Sequence, residues 1–103
     1  MSQQEIEKII ITPNTCMWPD DAHENYHIEI ELPGVDKETI KLKMHGDSFF
    51  IKGETEDTVY VGSYPVCCEI EPEKAKAEYK NGLLKIDVPF REDEFKSIEV
   101  RID

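Results

Sequence analysis

Long apolar runs are missing from this sequence of 103 residues. No stretch approaches the roughly 18 to 20 apolar residues that a membrane-spanning helix needs. The first residues, MSQQEIEKIII, also lack the basic start and the apolar core of a secretory signal. We therefore expect a cytoplasmic protein.

Positive charge is scarce. The chain has 12 Lys and Arg against 23 Asp and Glu, which gives a formal net charge of −11. Such a surface repels both phosphate backbones and anionic membrane leaflets, so we expect neither nucleic acid nor membrane as a partner. The same charge keeps a protein with sticky surfaces in solution.

The usual signatures of catalysis and of metal binding are absent as well. The sequence has no Gly-rich phosphate loop, no nucleophile elbow around a serine, and no CxxC spacing. His27 and His45 fall on the polar phase of their segments and, with His23, are interpreted as surface histidines. We expect no enzyme activity, no metal and no cofactor.

Cysteine is also sparse, and its arrangement leaves three interpretations open. An odd count of three with two adjacent members, Cys67 and Cys68, is a poor basis for structural disulfides. Ordinary packing is favoured, because Cys68 is in phase with Val66 and Ile70. Redox sensing by the pair is the second interpretation, and a metal site using Cys16 and a histidine is the third.

Helical periodicity is weak, whereas alternation of apolar and polar residues with a period of two dominates. In a strand this alternation places all apolar residues on one face. The alternating segments are residues 26–32, 40–44, 64–70, 75–79, 84–88 and 98–102, and residues 49–51 are apolar on both faces. Residues 35–39 are expected to form a single helical turn, and the first residues form a short amphipathic helix, a frayed start or an edge strand.

Turn signals separate these segments at short intervals. Pro33-Gly34 suits a tight turn, Gly46-Asp47 has the length of a hairpin loop, and Asn81-Gly82 is the strongest type I′ hairpin signal. Together with the alternation, they predict an all-β fold, an immunoglobulin-like β-sandwich of seven to eight antiparallel strands.

Three blocks of sequence resemble the alpha-crystallin domain of the small heat-shock protein family. They are YHIEIELPGVDKETIKL at residues 26–42, FFIKGE at residues 49–54, and AKAEYKNGLLKIDVPF at residues 75–90. Each block alone is weak, but three in this order and spacing are fairly specific. The resemblance covers nearly the whole chain.

The resemblance implies a groove whose walls come from two strands. One wall contains Ile40, Leu42 and Met44, and the other contains Ala75, Ala77 and Tyr79; these residues also have the alternation of core-facing positions. The family fills this groove with an Ile-x-Ile-type motif from a neighbour's tail, and Ile98, Val100 and Ile102 are the candidates here. The alternative is that residues 98–102 form the last strand of their own sandwich.

The resemblance also predicts how the chain is divided. Residues 1–11 are a short N-terminal arm, residues 12–90 the alpha-crystallin-type sandwich, and residues 91–103 a tether with the tail motif. Two departures from the family stand out: the loop after Gly53 is short, which puts a strand-swapped dimer in doubt, and the arm is short. Residues 58–62 are either a remnant of the swapped strand or part of the next strand.

The implied function is that of an ATP-independent small heat-shock chaperone, a holdase that binds partly unfolded clients. We expect self-association as a dimer or small oligomer. The alternative is an interaction module similar to the CS-domain co-chaperones, which bind a folded partner.

Overall fold

The computed structural model describes residues 7–91 and 99–103. Eight strands within these ranges form two sheets of four. The first sheet has the order β1-β6-β5-β4 and the second has the order β2-β3-β8-β7. The strands are β1 (Ile9–Ile11), β2 (Thr15–Pro19), β3 (Asn25–Glu31), β4 (Lys41–Met44), β5 (Ser48–Glu54), β6 (Thr58–Pro65), β7 (Lys76–Lys80) and β8 (Leu83–Pro89).

The predicted all-β sandwich is confirmed, with antiparallel pairing in both sheets. One pair differs, because β1 runs parallel to β6. Burial alternates along β3, β5 and β8, as the period of two predicts. The core lies between the sheets and consists of Tyr26, Ile28, Ile30, Leu32, Val35, Phe49, Ile51, Ile70, Leu84, Ile86, Val88 and Phe90.

After β3, the chain passes from the second sheet to the first through the turn at Pro33-Gly34. Gly34 has φ of +73°, a conformation that a residue without Cβ adopts readily. A 3-10 helix, Lys37–Thr39, follows, and the Asp36 carboxylate accepts a hydrogen bond from the backbone N–H of Glu38 at 3.1 Å. The helical turn expected in residues 35–39 is therefore present as this short 3-10 helix.

The chain returns to the second sheet through residues 66–71 and a second 3-10 helix, Pro72–Lys74. A tight hairpin then joins β7 to β8. Its two residues, Asn81 and Gly82, have φ of 52° and 78°, the left-handed values that the Asn-Gly signal predicts.

Residues 55–57 alone connect β5 to β6. The Thr55 hydroxyl accepts hydrogen bonds from the backbone N–H groups of Asp57 and Thr58, at 3.3 and 3.0 Å, which stabilises this tight connection. Because β6 continues unbroken from Thr58 to Pro65, residues 58–62 belong to the same strand as those that follow them.

The residues just before the sandwich form an edge strand, one of the three possibilities the sequence left open. The Ile9 N–H donates to the Asp57 carbonyl at 2.9 Å, and the Lys8 ammonium donates to a Glu54 carboxylate oxygen at 2.9 Å. Residues 1–6 of the predicted arm lie outside the described ranges. Within those ranges, no helix is long and apolar enough to cross a membrane.

Candidate functional site

Strands β4 and β7 each lie at one edge of their sheet, opposite the edges that β1 and β2 form. β4 pairs with β5 alone, and β7 pairs with β8 alone, among the strands that the structure describes. Each therefore has one backbone edge unpaired by any described residue. An unpaired edge is a template on which another strand adds.

The inner face of β7 is open to solvent. Ala77 lies directly opposite Ile86 and Tyr79 opposite Leu84, and both partners belong to the core. Directly opposed residues of two strands share a face, so Ala77 points into the space between the sheets. Ala77 is nevertheless exposed. The sandwich is thus open at this margin.

The inner face of β4 has the same character. Leu42 lies opposite Ile51 and Met44 opposite Phe49, which are buried core residues. Leu42 and Met44 are only half-buried although they face the core, and so is Ile40, which precedes the strand.

A chain of contacts places these two edges on the same side of the sandwich. The Tyr79 hydroxyl of β7 lies 3.0 Å from the Val35 carbonyl. A Cβ built on Gly53 would lie 2.9 Å from Val35 Cγ1 and 3.7 Å from Ile40 Cγ1. We call the apolar margin formed by Ile40, Leu42 and Met44 with Ala75 and Ala77 the edge slot.

Tyr79 has a different position from the other predicted wall residues. It is half-buried, and its hydroxyl lies 2.6 Å from the Leu32 carbonyl and 3.0 Å from that of Val35. The single hydroxyl proton is thus engaged by backbone carbonyls at the chain crossing. This anchoring role was not predictable from the sequence, because the alternation indicates the face of a residue and not its hydrogen bonds.

The predicted tail motif is described in part. Ile98 lies outside the described residues, whereas Val100 is 77% exposed and Ile102 is 92% exposed. Residues 99–103 form no strand. Both apolar side chains therefore extend from the sandwich instead of packing on it.

The chemistry of the edge slot is that of an apolar binding surface. No polar or charged side chain is buried among the described residues, and charged residues of β4 and β7 alternate with the slot residues toward solvent. The described residues contain no group of three His, Cys, Asp or Glu placed to hold a metal ion. The edge slot can therefore bury apolar side chains and pair with backbone.

A separate cleft of about 560 Å³ lies at one end of the sandwich. Residues 22–24 of the β2–β3 turn and the first residue of β3 line it together with Glu71, Lys74, Pro89 and Phe90. Its walls belong to the end of the sandwich where β8 finishes, opposite the Asn81-Gly82 hairpin. None of the predicted site residues lines this cleft.

The fold is similar to that of solved small heat-shock protein structures. Heat shock protein 16.0 from Schizosaccharomyces pombe superposes with a TM-score of 0.68 at 19% identity, over 90% of this chain and 99% of that one. A small heat-shock protein from Xylella fastidiosa gives a TM-score of 0.65 at 18% identity, over 89% of this chain and 94% of that one. At such identities the likeness concerns the fold.

Sequence comparison adds the family. A probable 15 kDa heat shock protein of Leptospira interrogans is 26% identical, over 89% of this chain and 80% of its own length. Small heat shock protein C4 of Rickettsia felis is 27% identical over 90% of this chain, which spans 65% of that relative. The mitochondrial 23.5 kDa heat shock protein of Arabidopsis thaliana is 36% identical over 77% of this chain, which spans 42% of it. Residues 19–103 match the Hsp20/alpha crystallin family, and the chain belongs to that family.

Proposed function

We propose that this protein is an ATP-independent chaperone that holds partly unfolded proteins in the cytoplasm and limits their aggregation. The observation that carries the proposal is the exposure of Ala77 on the core-facing side of an edge strand. A core-facing position without a cover is a place for apolar polypeptide supplied from outside. Membership of the Hsp20/alpha crystallin family supports the same function.

The free energy for holding a client comes from burial of apolar surface. Each Val, Leu or Ile side chain that enters the edge slot contributes about 1.5–3 kcal/mol before the cost of ordering the segment. Backbone pairing along β4 or β7 adds hydrogen bonds without demanding a particular sequence. Neither contribution requires a nucleotide.

We propose further that the tail of a neighbouring subunit occupies the edge slot when no client does. Val100 and Ile102 are exposed and are separated by one residue, so an extended tail presents both on one face. Ile98 continues this spacing in the sequence. The small Ala75 and Ala77 leave room for such side chains, and the half-buried Leu42 and Met44 offer the opposite wall.

Light scattering of a heated or chemically reduced test client, without ATP, tests the proposal. The protein is expected to suppress aggregation at a few subunits per client molecule. Ala77→Gln, which puts a bulky polar side chain into the edge slot, is expected to weaken suppression several-fold. Suppression that is unchanged in this variant would contradict the assignment of the slot.

Lys80→Gln is the matched control, because it places the same side chain on the same strand at an exposed position. Its suppression should equal that of the unmodified protein. A protein that stays strictly monomeric and suppresses nothing would instead favour an interaction module of the CS-domain type. The connection of only three residues between β5 and β6 is the feature that keeps this alternative open.

A further inference from the structure

Strand β1 leaves one long side of the first sheet without a described neighbour. It pairs with β6 on one side, and no strand among the described residues pairs with its other side. Its three residues are large and apolar, and Ile9, Ile10 and Ile11 are 63%, 73% and 40% exposed. An edge strand with three consecutive exposed β-branched residues is a site at which another strand adds.

This edge also lacks the charges that two other edges of the sandwich carry. β4 contains Lys41 and Lys43, and β7 contains Lys76 and Lys80. Like charges on an edge strand disfavour its pairing with a second copy of the same strand. β1 contains no charged residue, so no such repulsion opposes the pairing of two copies of β1.

The backbone of Ile10 faces the open side of β1. The Ile9 N–H donates to the Asp57 carbonyl at 2.9 Å, on the side of β6. In a strand, the N–H and C=O groups of successive residues point to opposite sides, so those of Ile10 point away from β6. They are placed to exchange the two N–H···O=C bonds that join a directly opposed residue pair of antiparallel strands.

We propose that β1 is a homodimerisation edge, on which β1 of a second copy adds antiparallel with the two Ile10 residues directly opposite each other. The first sheets of the two copies then continue into one another across a two-fold axis. This register places Ile9 of each copy opposite Ile11 of the other, so apolar side chains meet on both faces of the joined sheet. Pro13, which has no N–H, ends the ladder at each end.

The side chains next to β1 extend this contact. Ile10 lies opposite Val59 of β6 and shares its face of the sheet, so the two copies join a row of Val59, Ile10, Ile10 and Val59. Glu54, which follows in the row, is already in an ion pair with Lys8 at 2.9 Å. Residues 8–13 contain no Asp or Glu. The contact therefore brings no carboxylates of the two strands together, although each copy has a net charge of −11.

A second copy of β1 fits this edge better than an unrelated segment does. Three residues form only a few backbone hydrogen bonds, so the pairing depends on apolar side chains at matched positions. β1 supplies an isoleucine at each of the three positions. The same strand is thus both the site and its occupant, as a two-fold contact requires.

Sedimentation equilibrium of the full chain carrying Val100→Gly and Ile102→Gly tests the proposal, because these changes remove the tail contacts proposed above. This protein should be dimeric. Adding Ile10→Lys, which opposes two ammonium groups at the two-fold axis, should raise the dimer dissociation constant at least tenfold. Ser63→Lys is the matched control, because it adds the same charge at an exposed position of the neighbouring strand β6 and should leave the dimer intact.

A mixture of two variants tests the register in the same background. Ile10→Lys and Ile10→Glu should each be monomeric, and their equimolar mixture should form heterodimers, because residue 10 of one copy lies opposite residue 10 of the other. A monomeric parent protein, equal dissociation in Ile10→Lys and Ser63→Lys, or a mixture that stays monomeric would overturn the proposal.

Amide hydrogen exchange at two protein concentrations tests the backbone pairing. The Ile10 amide should exchange several-fold more slowly in the concentrated, dimeric sample than after dilution. The Ile9 amide, which donates within its own chain, is the internal control and should exchange equally in both. Equal exchange of Ile10 at both concentrations would refute the pairing. No client is involved, so these outcomes are separate from that of the proposed function.

Discussion

Gly53 is a residue at which the sandwich has no room for an added atom. It is buried on β5, and a Cβ there would lie 2.9 Å from Cγ1 and 3.5 Å from Cγ2 of Val35. Val35 is β-branched and 6% exposed, so it has little freedom to rotate away. Gly53→Ala is therefore expected to lower the free energy of unfolding by about 1–3 kcal/mol in urea denaturation.

Gly46→Ala is the matched control for this substitution. The nearest atoms to a Cβ at Gly46 are 3.8 and 3.9 Å away, which is ordinary contact. Its effect should stay below about 1 kcal/mol. A double variant with Val35→Ala should recover part of the loss at Gly53, and the absence of such coupling would show that the clash is not the cause.

The hydrogen bonding of the Tyr79 hydroxyl is a second contribution of a single residue to the stability of the fold. Tyr79→Phe removes the donor shared by the Leu32 and Val35 carbonyls, at 2.6 and 3.0 Å. Loss of this hydrogen bonding should cost about 1–2 kcal/mol of unfolding free energy. Tyr60→Phe is the control, because no hydrogen bond of its hydroxyl is present among the described residues, and an equal loss in both variants would contradict the assigned role.

Among the elements, β1 is held by few contacts and should leave the sheet first in acid. The pKa of Glu54 is held below its usual value of 4.5, first by the hydrogen bond from Lys8 and then by the charge of Lys8. A carboxyl whose pKa is lower in the folded protein than in the unfolded chain contributes its full stabilisation of the fold above pH 4.5. That contribution is lost as the pH falls through the lower pKa of the folded protein.

NMR titration of the Glu54 carboxyl checks this expectation. Its pKa should lie below 4.5 and move toward that value in Lys8→Met. The amide of Ile9, which donates to Asp57, should lose protection as Glu54 is protonated. In Lys80→Met, which removes a lysine from β7, the titration should be unchanged; a shift there would point to general charge effects instead of the Lys8 contact.

Most elements were predictable from the sequence because period-two alternation follows directly from strand geometry. The hairpin at Asn81-Gly82 was predictable for the same kind of reason, since few residues adopt its left-handed φ values. The pairing of β1 with β6 was not predictable, because Ile9, Ile10 and Ile11 show no alternation that would select a face or a strand direction. Whether residues 58–62 continue into the next strand likewise depended on pairing with β5, a long-range contact.

The candidate site was predictable only as a set of alternating residues. Ala77 and Ile86 have the same pattern in the sequence, yet one is exposed and the other 0% exposed, because only the stacking of the sheets decides which core-facing positions are covered. The two strands that the resemblance assigns to the groove walls, β4 and β7, both lie at sheet edges among the described strands. It did not reveal that the Tyr79 hydroxyl is engaged by the chain's own backbone.

For the molecule as a whole, the tail is expected to control assembly. Replacing both Val100 and Ile102 by Gly removes the apolar side chains proposed to enter a neighbour's edge slot. Native mass spectrometry should show a shift from multimers to smaller species, with dissociation increased by at least tenfold, since about 1.5–3 kcal/mol is removed per side chain.

Replacing Glu99 and Arg101 by Gly is the control for this experiment. These residues alternate with the apolar pair, so the control changes the backbone flexibility of the tail equally and leaves both apolar side chains in place. The mass distribution of the control should match that of the unmodified protein. Equal dissociation in both double variants would assign the effect to flexibility and not to slot filling.

The three residues that join β5 to β6 have a consequence for the lifetime of any complex this protein forms with copies of itself. Because this short span keeps β6 paired with β5 of its own chain, we expect partners to associate through surfaces already formed in each subunit. Each one can then depart without opening its own interior. When complexes with differently labelled subunits are mixed, the subunits should therefore exchange quickly. The barrier to exchange should be set by the contacts between surfaces and not by refolding of a subunit.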